Sequence, residues 1–191
     1  MSNSDQNAVK PSADSLASAA QGFAKRGPAP VHLWNPEFCG DLDMRIARDG
    51  TWHYLGSPIG RMPLVKLFSS ILKREGQDYF LVTPVEKVGI KVDDVPFIAV
   101  DFSVTDGDFT FETNVGDLIP LGPEHPMRIE TNEKGEPAPY VLVRSNLEAR
   151  IDRKSFYRLV DLAQPHPHQG QIWLGIWSLG QFFPFIPEAE I

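Results

Sequence analysis

The chain has 191 residues, 42% of them hydrophobic, with 17 prolines and 15 glycines; it is long enough for one substantial core or two small ones and too regularly patterned for disorder. Its formal net charge of -7, from 25 acidic and 18 basic residues, lacks the basic face with which nucleic-acid binding begins. A single cysteine, Cys39, excludes an intramolecular disulfide and a multi-cysteine zinc site and points to a reducing compartment, and no cationic region leads into an apolar segment at the start, so the expected location is the cytoplasm.

Residues 1–30 read as an N-terminal tail. Polar low-complexity sequence comes first, then a short Ala-rich helix from Ser12 to Lys25 with Leu16, Ala20 and Phe23 on one side and Gly27 as its stop. Such a helix is expected to attach loosely. Residues 31–84 form a first repeat. Trp34, Pro36 and Phe38 pin the entry to a hairpin made of Met44 to Ile46, an Asp49-Gly50 turn and Trp52 to Leu55. Cys39 reads as a buried structural thiol, since spacing gives it no histidine partner. Leu64, Leu67, Phe68, Ile71 and Leu72 then fall on one helical stripe, with Gly60 as N-cap, Pro63 in the first turn and Gly76 as C-cap after Lys73 and Arg74. Tyr79 to Thr83 is a strand.

The spacing places a boundary near Pro84 and a second, larger repeat over residues 85–191. Strand patterns cover Val85 to Val92, Phe97 to Val104 and Phe109 to Val115, with Thr105-Asp106-Gly107-Asp108 as a hairpin turn. From Val92 to Met127 there is no Lys or Arg while eight acidic residues accumulate, which reads as a solvated acidic sheet edge rather than a cation or basic-partner surface. A hairpin of Met127 to Ile129, a Gly135 loop and Tyr140 to Val143 leads to a second helix capped by Asp152, and a strand follows from Ile172 to Trp177. Residues Ala163 to Pro187 carry no charge, but their prolines and glycines break any run of about 18 apolar residues that a membrane helix needs.

Duplication organises the whole chain. The signature Ile59-x-Arg61-x-x-Leu64-x-x-Leu67-Phe68-x-x-Ile71 returns as Ile151-x-Arg153-x-x-Phe156-x-x-Leu159-Val160-x-x-Ala163, every position shifted by 92 residues. The fold class that follows is α+β, an internal duplication of a hairpin-helix-strand unit with a second half richer in sheet.

The blocks TWHYLGSPIGRMPLVKLF, YFLVTPVEKVGIKVDDVPF and the following VDF resemble a bacterial family known as domain of unknown function 1285, over a span from about His32 to near the end. The resemblance implies a tandem duplication of an α+β unit, a C-terminal half similar to pleckstrin-homology-like folds and a part in signal transduction. It carries no catalytic residue.

The chain has no phosphate-binding Gly-rich loop, Gly-x-Ser-x-Gly elbow, His-Glu-x-x-His or paired-cysteine motif. His166-Pro167-His168 places two imidazoles on one face of an extended segment, but without a third ligand it reads as a solvated loop. No metal or cofactor is expected. Arg61 and Arg153 are the informative positions, because a cation at a helix start opposes the helix dipole. An ion pair to a carboxylate of the other repeat, or an anionic ligand between the repeats, explains both. Trp52, His53, Glu86 and Lys87 complete that candidate ligand groove, and Phe182, Phe183 and Phe185 offer an aromatic tail for a protein partner or a homodimer. The leading expectation is a non-catalytic binding or regulatory protein for a small anionic ligand or a partner peptide. The alternative is a small enzyme acting on an anionic metabolite, with His53 or Glu86 as base and Arg61 as clamp.

Overall fold

A computed structural model describes residues 10–23 and 27–190. The chain divides into two compact units, Met1–Asp93 and Asp94–Ile191, so the division falls after the strand that the sequence assigns to the second repeat. That strand pairs on both sides within the first unit, which is why it stays there.

In the first unit, helix α1 (Ala13–Ala20) starts at a capping box in which Ser12 and Ser15 each accept the other's backbone N–H at 3.2 Å. Its attachment is firm, contrary to the expectation of a loose helix: Leu16 and Ala20 are fully buried and the helix packs on α2 (Met62–Ser70). It also ends early, at Ala20; Phe23 lies in the turn beyond and packs edge-on against Trp34 at 4.6 Å, while the predicted end at Lys25 lies outside the described residues. Two antiparallel meanders follow, β1 (Phe38–Ile46), β2 (Trp52–Tyr54) and β3 (Ser57–Pro58) before α2, then β4 (Leu72–Glu75), β5 (Asp78–Val82) and β6 (Lys87–Val92) after it. Parallel pairing of β1 with β6 joins them into one six-stranded sheet of order β3-β2-β1-β6-β5-β4. Alternation along β1 buries Leu42, Met44 and Ile46 and leaves Asp41, Asp43 and Arg45 exposed. Trp52 and Phe68 stack beneath α2 with centroids 6.3 Å apart, and both are essentially inaccessible.

Three local expectations change here. The N-cap of α2 is Arg61, in extended conformation and without a side-chain cap bond, rather than Gly60. The helix stops at Ser70, so Gly76 serves the β4–β5 turn at φ 60 and Lys73 and Arg74 lie in a strand. Cys39 is exposed, not buried, because the buried alternation of β1 begins only at Leu42.

The second unit repeats the sheet. Strands β7 (Phe97–Thr105), β8 (Asp108–Thr113) and β9 (Leu118–Pro120) form one meander; β10 (Met127–Thr131), β11 (Pro137–Arg144) and β12 (Leu147–Ile151) form the next. Parallel pairing of β12 with β7 gives the order β10-β11-β12-β7-β8-β9, and this sheet curls into a half-barrel around Phe97, Phe111, Val141 and Ala149. Strand for strand, β1 to β6 match β7 to β12. The helix does not follow that match: α2 joins the two meanders of the first sheet, whereas α3 (Arg153–Asp161) follows the second meander. The constant shift seen in the sequence therefore aligns helices that leave non-equivalent strands, β3 at an edge and β12 in the centre.

Beyond α3 comes a three-stranded antiparallel sheet, β13 (Gln164–His168), β14 (Gln171–Ser178) and β15 (Gln181–Pro187). It is anchored to the β7–β8 hairpin by Phe109 N–H donating to Ser178 Oγ at 2.9 Å and Leu179 N–H donating to Asp108 at 2.7 Å. Gly175 has a close-packing role, since a Cβ there would stand 2.2 Å from the Phe183 carbonyl oxygen. Among the described residues no helix is long and apolar enough to cross a membrane.

The acidic stretch is only in part a solvated edge, since four of its eight carboxylates stand beside arginines. Asp93 pairs with Arg45 at 2.5 Å, Asp101 with Arg158 at 2.5 Å and Asp117 with Arg144 at 2.8 Å, while Asp94 accepts the Tyr140 hydroxyl at 3.1 Å and lies 3.8 Å from Arg150.

Candidate functional site

The expected ligand residues are divided between the units: Trp52, His53, Arg61, Glu86 and Lys87 lie in the first and Arg153 in the second. Within the first unit they do not converge. Trp52 belongs to the core face and His53 to the opposite one, across from Arg45, with Nε2 buried and unpartnered among the described residues. From Glu86 to Lys91, which stands beside Arg45, is roughly 16 Å at a strand's rise, so Glu86 and His53 cannot share one proton relay. Glu86 closes the β5–β6 turn through its backbone, exchanging bonds with Thr83 at 2.9 and 3.2 Å. Lys87 is clamped by Glu75 at 2.5 Å and stands over Phe80. Arg61 is exposed and makes no ion pair among the described residues.

Arg153 has a built setting. It is the first residue of α3, one turn position later than Arg61 holds on α2, because Asp152 takes the cap and accepts Ser155 N–H at 2.7 Å. Its guanidinium reaches Glu136 of its own unit at 3.1 Å, not a carboxylate of the other repeat. Beside it runs a groove of about 400 Å³ lined by Asn132, Glu136, the Pro137–Pro139 segment, Arg150, Arg153, Phe156 and Tyr157. Asn132, and behind it Arg153, hold the Glu136 carboxyl below the usual carboxylate range. Both carboxylates of this groove are thus engaged, Glu136 by Asn132 and Arg153 and Asp152 by the helix cap, whereas Arg153 spends only one contact on Glu136 with its side chain 68% exposed. Free donors beside aromatic walls are what a planar anion needs.

The resolved protonation shifts share one direction. Hydrogen bonds from Lys87 and Lys73 lower Glu75, from Arg45 lower Asp93, and from Arg158 lower Asp101; Glu148 raises Arg128, and burial, then Asp94, raise the Tyr140 phenol. Each is held more firmly in the form it has at neutral pH. General acid-base work asks for the opposite.

The aromatic C-terminal segment is strand β15. Phe183 is 2% exposed and fills the unit's own core, Phe185 packs on Phe156 at 5.7 Å, and Phe182 sits among His166, His168 and Trp177. The two histidines do share a face, as their spacing predicts, but they belong to β13 and pack on aromatic rings instead of lying in a solvated loop. No group of three metal-ligating side chains occurs among the described residues.

Two six-stranded mixed sheets in tandem, with helices and, among the described residues, no convergent reactive set, define a strand-rich α+β protein with groove-bearing units. The comparisons place it more closely. Residues 29–95 match the N-terminal domain of a domain of unknown function (DUF1285) and residues 96–185 the C-terminal domain of the same family of unknown function; the chain belongs to the DUF1285 family. A crystal structure of a DUF1285 family protein from Silicibacter pomeroyi is 56% identical, covering 92% of this chain and 96% of that one with a TM-score of 0.83. Another, from Shewanella baltica, is 29% identical over 63% of this chain and 91% of that one, with a TM-score of 0.52. No curated protein matches the chain.

Proposed function

We propose that this chain is a non-catalytic binding or regulatory protein that takes a small anionic ligand in the groove beside α3. The observation that supports the reading is Arg153, an exposed guanidinium with a single contact, standing over a groove of about 400 Å³ walled by Phe156 and Tyr157. A carboxylate or phosphate there would exchange one exposed ion pair for a bidentate one. Six strands followed by one helix support the pleckstrin-homology-like comparison for the second unit, and with it a part in signal transduction. A thermal-shift panel of dicarboxylates, sugar phosphates and inorganic phosphate tests the proposal. At least one member raises Tm, the rise disappears in Arg153→Ala and is partly kept in Arg153→Lys, whose ammonium retains charge without the planar fork. A panel without effect, or a shift indifferent to Arg153, would overturn it.

A further inference from the structure

The exposed face of the first sheet holds a separate concavity of about 380 Å³, formed by Phe38, Asp41, Asp78, Phe80, Lys87 and Gly89 among others. Register assembles it: Asp41 stands opposite Gly89, Gly89 opposite Phe80 and Phe80 opposite Lys73, and residues directly opposite share a face. Gly89 is its floor. A Cβ at that position would lie 2.1 Å from Asp41 Oδ1, so only glycine lets the Asp41 carboxylate lie across β6. Phe38, 56% exposed, meets Phe80 edge-on at 6.1 Å and keeps a ring face uncovered.

Inside this concavity the protein already pairs a cation with an aromatic ring and a carboxylate. Lys87 Nζ lies 4.3 Å from the Phe80 centroid and 2.5 Å from Glu75, which also takes Lys73 at 3.0 Å. Phe80 and Glu75 are therefore occupied from within, and Glu75, shared by two lysines, leaves one positive charge over. Phe38, Asp41 and Asp78 are not occupied: among the described residues neither aspartate has an ion pair and no cation covers Phe38. Against that one positive charge Asp41 and Asp78 set two negative ones, so the balance is a single negative charge, which disfavours an anion, and the aromatic wall beside it matches a cation with an aliphatic stem.

We infer that this concavity docks one basic side chain, lysine or arginine, of a protein partner, its charged head between Asp41 and Asp78 and its stem over Phe38. The site is independent of the α3 groove. The test uses the full-length protein, ¹⁵N-labelled, titrated with acetyl-Gly-Lys-Gly-amide, its arginine counterpart and its uncharged norleucine counterpart. The charged peptides move the Gly89 and Phe38 amide resonances saturably, norleucine does not, and added salt weakens the effect. Asp41→Asn with Asp78→Asn weakens binding by about tenfold while leaving the spectrum otherwise dispersed. Arg153→Ala leaves it unchanged, so this site and the anion groove fail separately. Equal response to norleucine, absence of saturable movement with either charged peptide, or full affinity in the double variant would each overturn the inference.

Discussion

In the first unit a six-stranded sheet is covered on one face by α2, on which α1 packs, and carries exposed charge on the other; in the second the same strand order is curled, backed by α3 and extended by a three-stranded sheet. The two units share their meanders and their central parallel pair, and differ in where the helix enters. A helix placed between the meanders covers the sheet it interrupts, whereas a helix placed after them leads the chain into new structure. Strand order thus rests on the meanders and the parallel pair, and the helix is the variable part. Cover also decides which chemistry is presented, an exposed sheet face with unpaired aspartates in one unit and a helix-start groove with an exposed, singly paired arginine in the other.

The largest effects should come from the two cores. Phe68→Ala in the first unit and Phe111→Ala in the second, both fully buried, should each cost about 3 to 5 kcal/mol. Hydrogen exchange should report the loss in the strands of the mutated unit; protection unchanged there would break the assignment of separate cores. Lys66→Ala, on the exposed face of α2 beside buried Leu67, should stay within about 0.5 kcal/mol in a urea melt.

The helix caps give a middle-sized contrast. Asp152→Ala removes a cap bond and should cost about 1 kcal/mol, while Arg61→Ser supplies the cap that α2 lacks, removes an opposing charge and should stabilise by a few tenths to about 1 kcal/mol. If Arg61→Ser instead destabilises, the arginine has a partner that the fold does not explain.

The smallest effects concern pH. Asp93, Asp101 and Glu75 have folded pKa values below their unfolded ones, so the stability they add is present above the unfolded carboxylate range and is lost as pH falls through the depressed values. Urea midpoints should decline from about pH 4.5 downward, and Asp93→Asn with Asp101→Asn should flatten that decline. An acid limb identical to wild type would show that these pairs contribute nothing.

Much of this was legible from residue spacing. Helical stripes found α2 and α3, the Asp49-Gly50 and Asp106-Gly107 turns found their hairpins, and Asp152 announced a cap. Strand β12 was hidden because Leu147 to Ile151 is short and runs directly into the helix signature, and with it went the true correspondence of the sheets. Gly89 inside a strand pattern was a usable sign of close approach, but the carboxylate that approaches it comes from β1, far away in sequence. The groove beside α3 depends on a loop folding back to place Glu136 at Arg153, which periodicity cannot foresee. The C-terminal aromatics looked like a docking tail because a charge-free run does not reveal that β14 will pair with it and bury Phe183.

The two helix-start arginines bring the comparison to one experiment. For a ligand taken from the anion panel, isothermal titration of the wild type, Arg61→Ala and Arg153→Ala compares one exposed N-cap arginine in the first unit with one over a built groove in the second. Affinity should be retained in Arg61→Ala and fall at least about tenfold in Arg153→Ala. Equal losses in both variants, or a loss confined to Arg61→Ala, would contradict the assignment of the ligand site to α3.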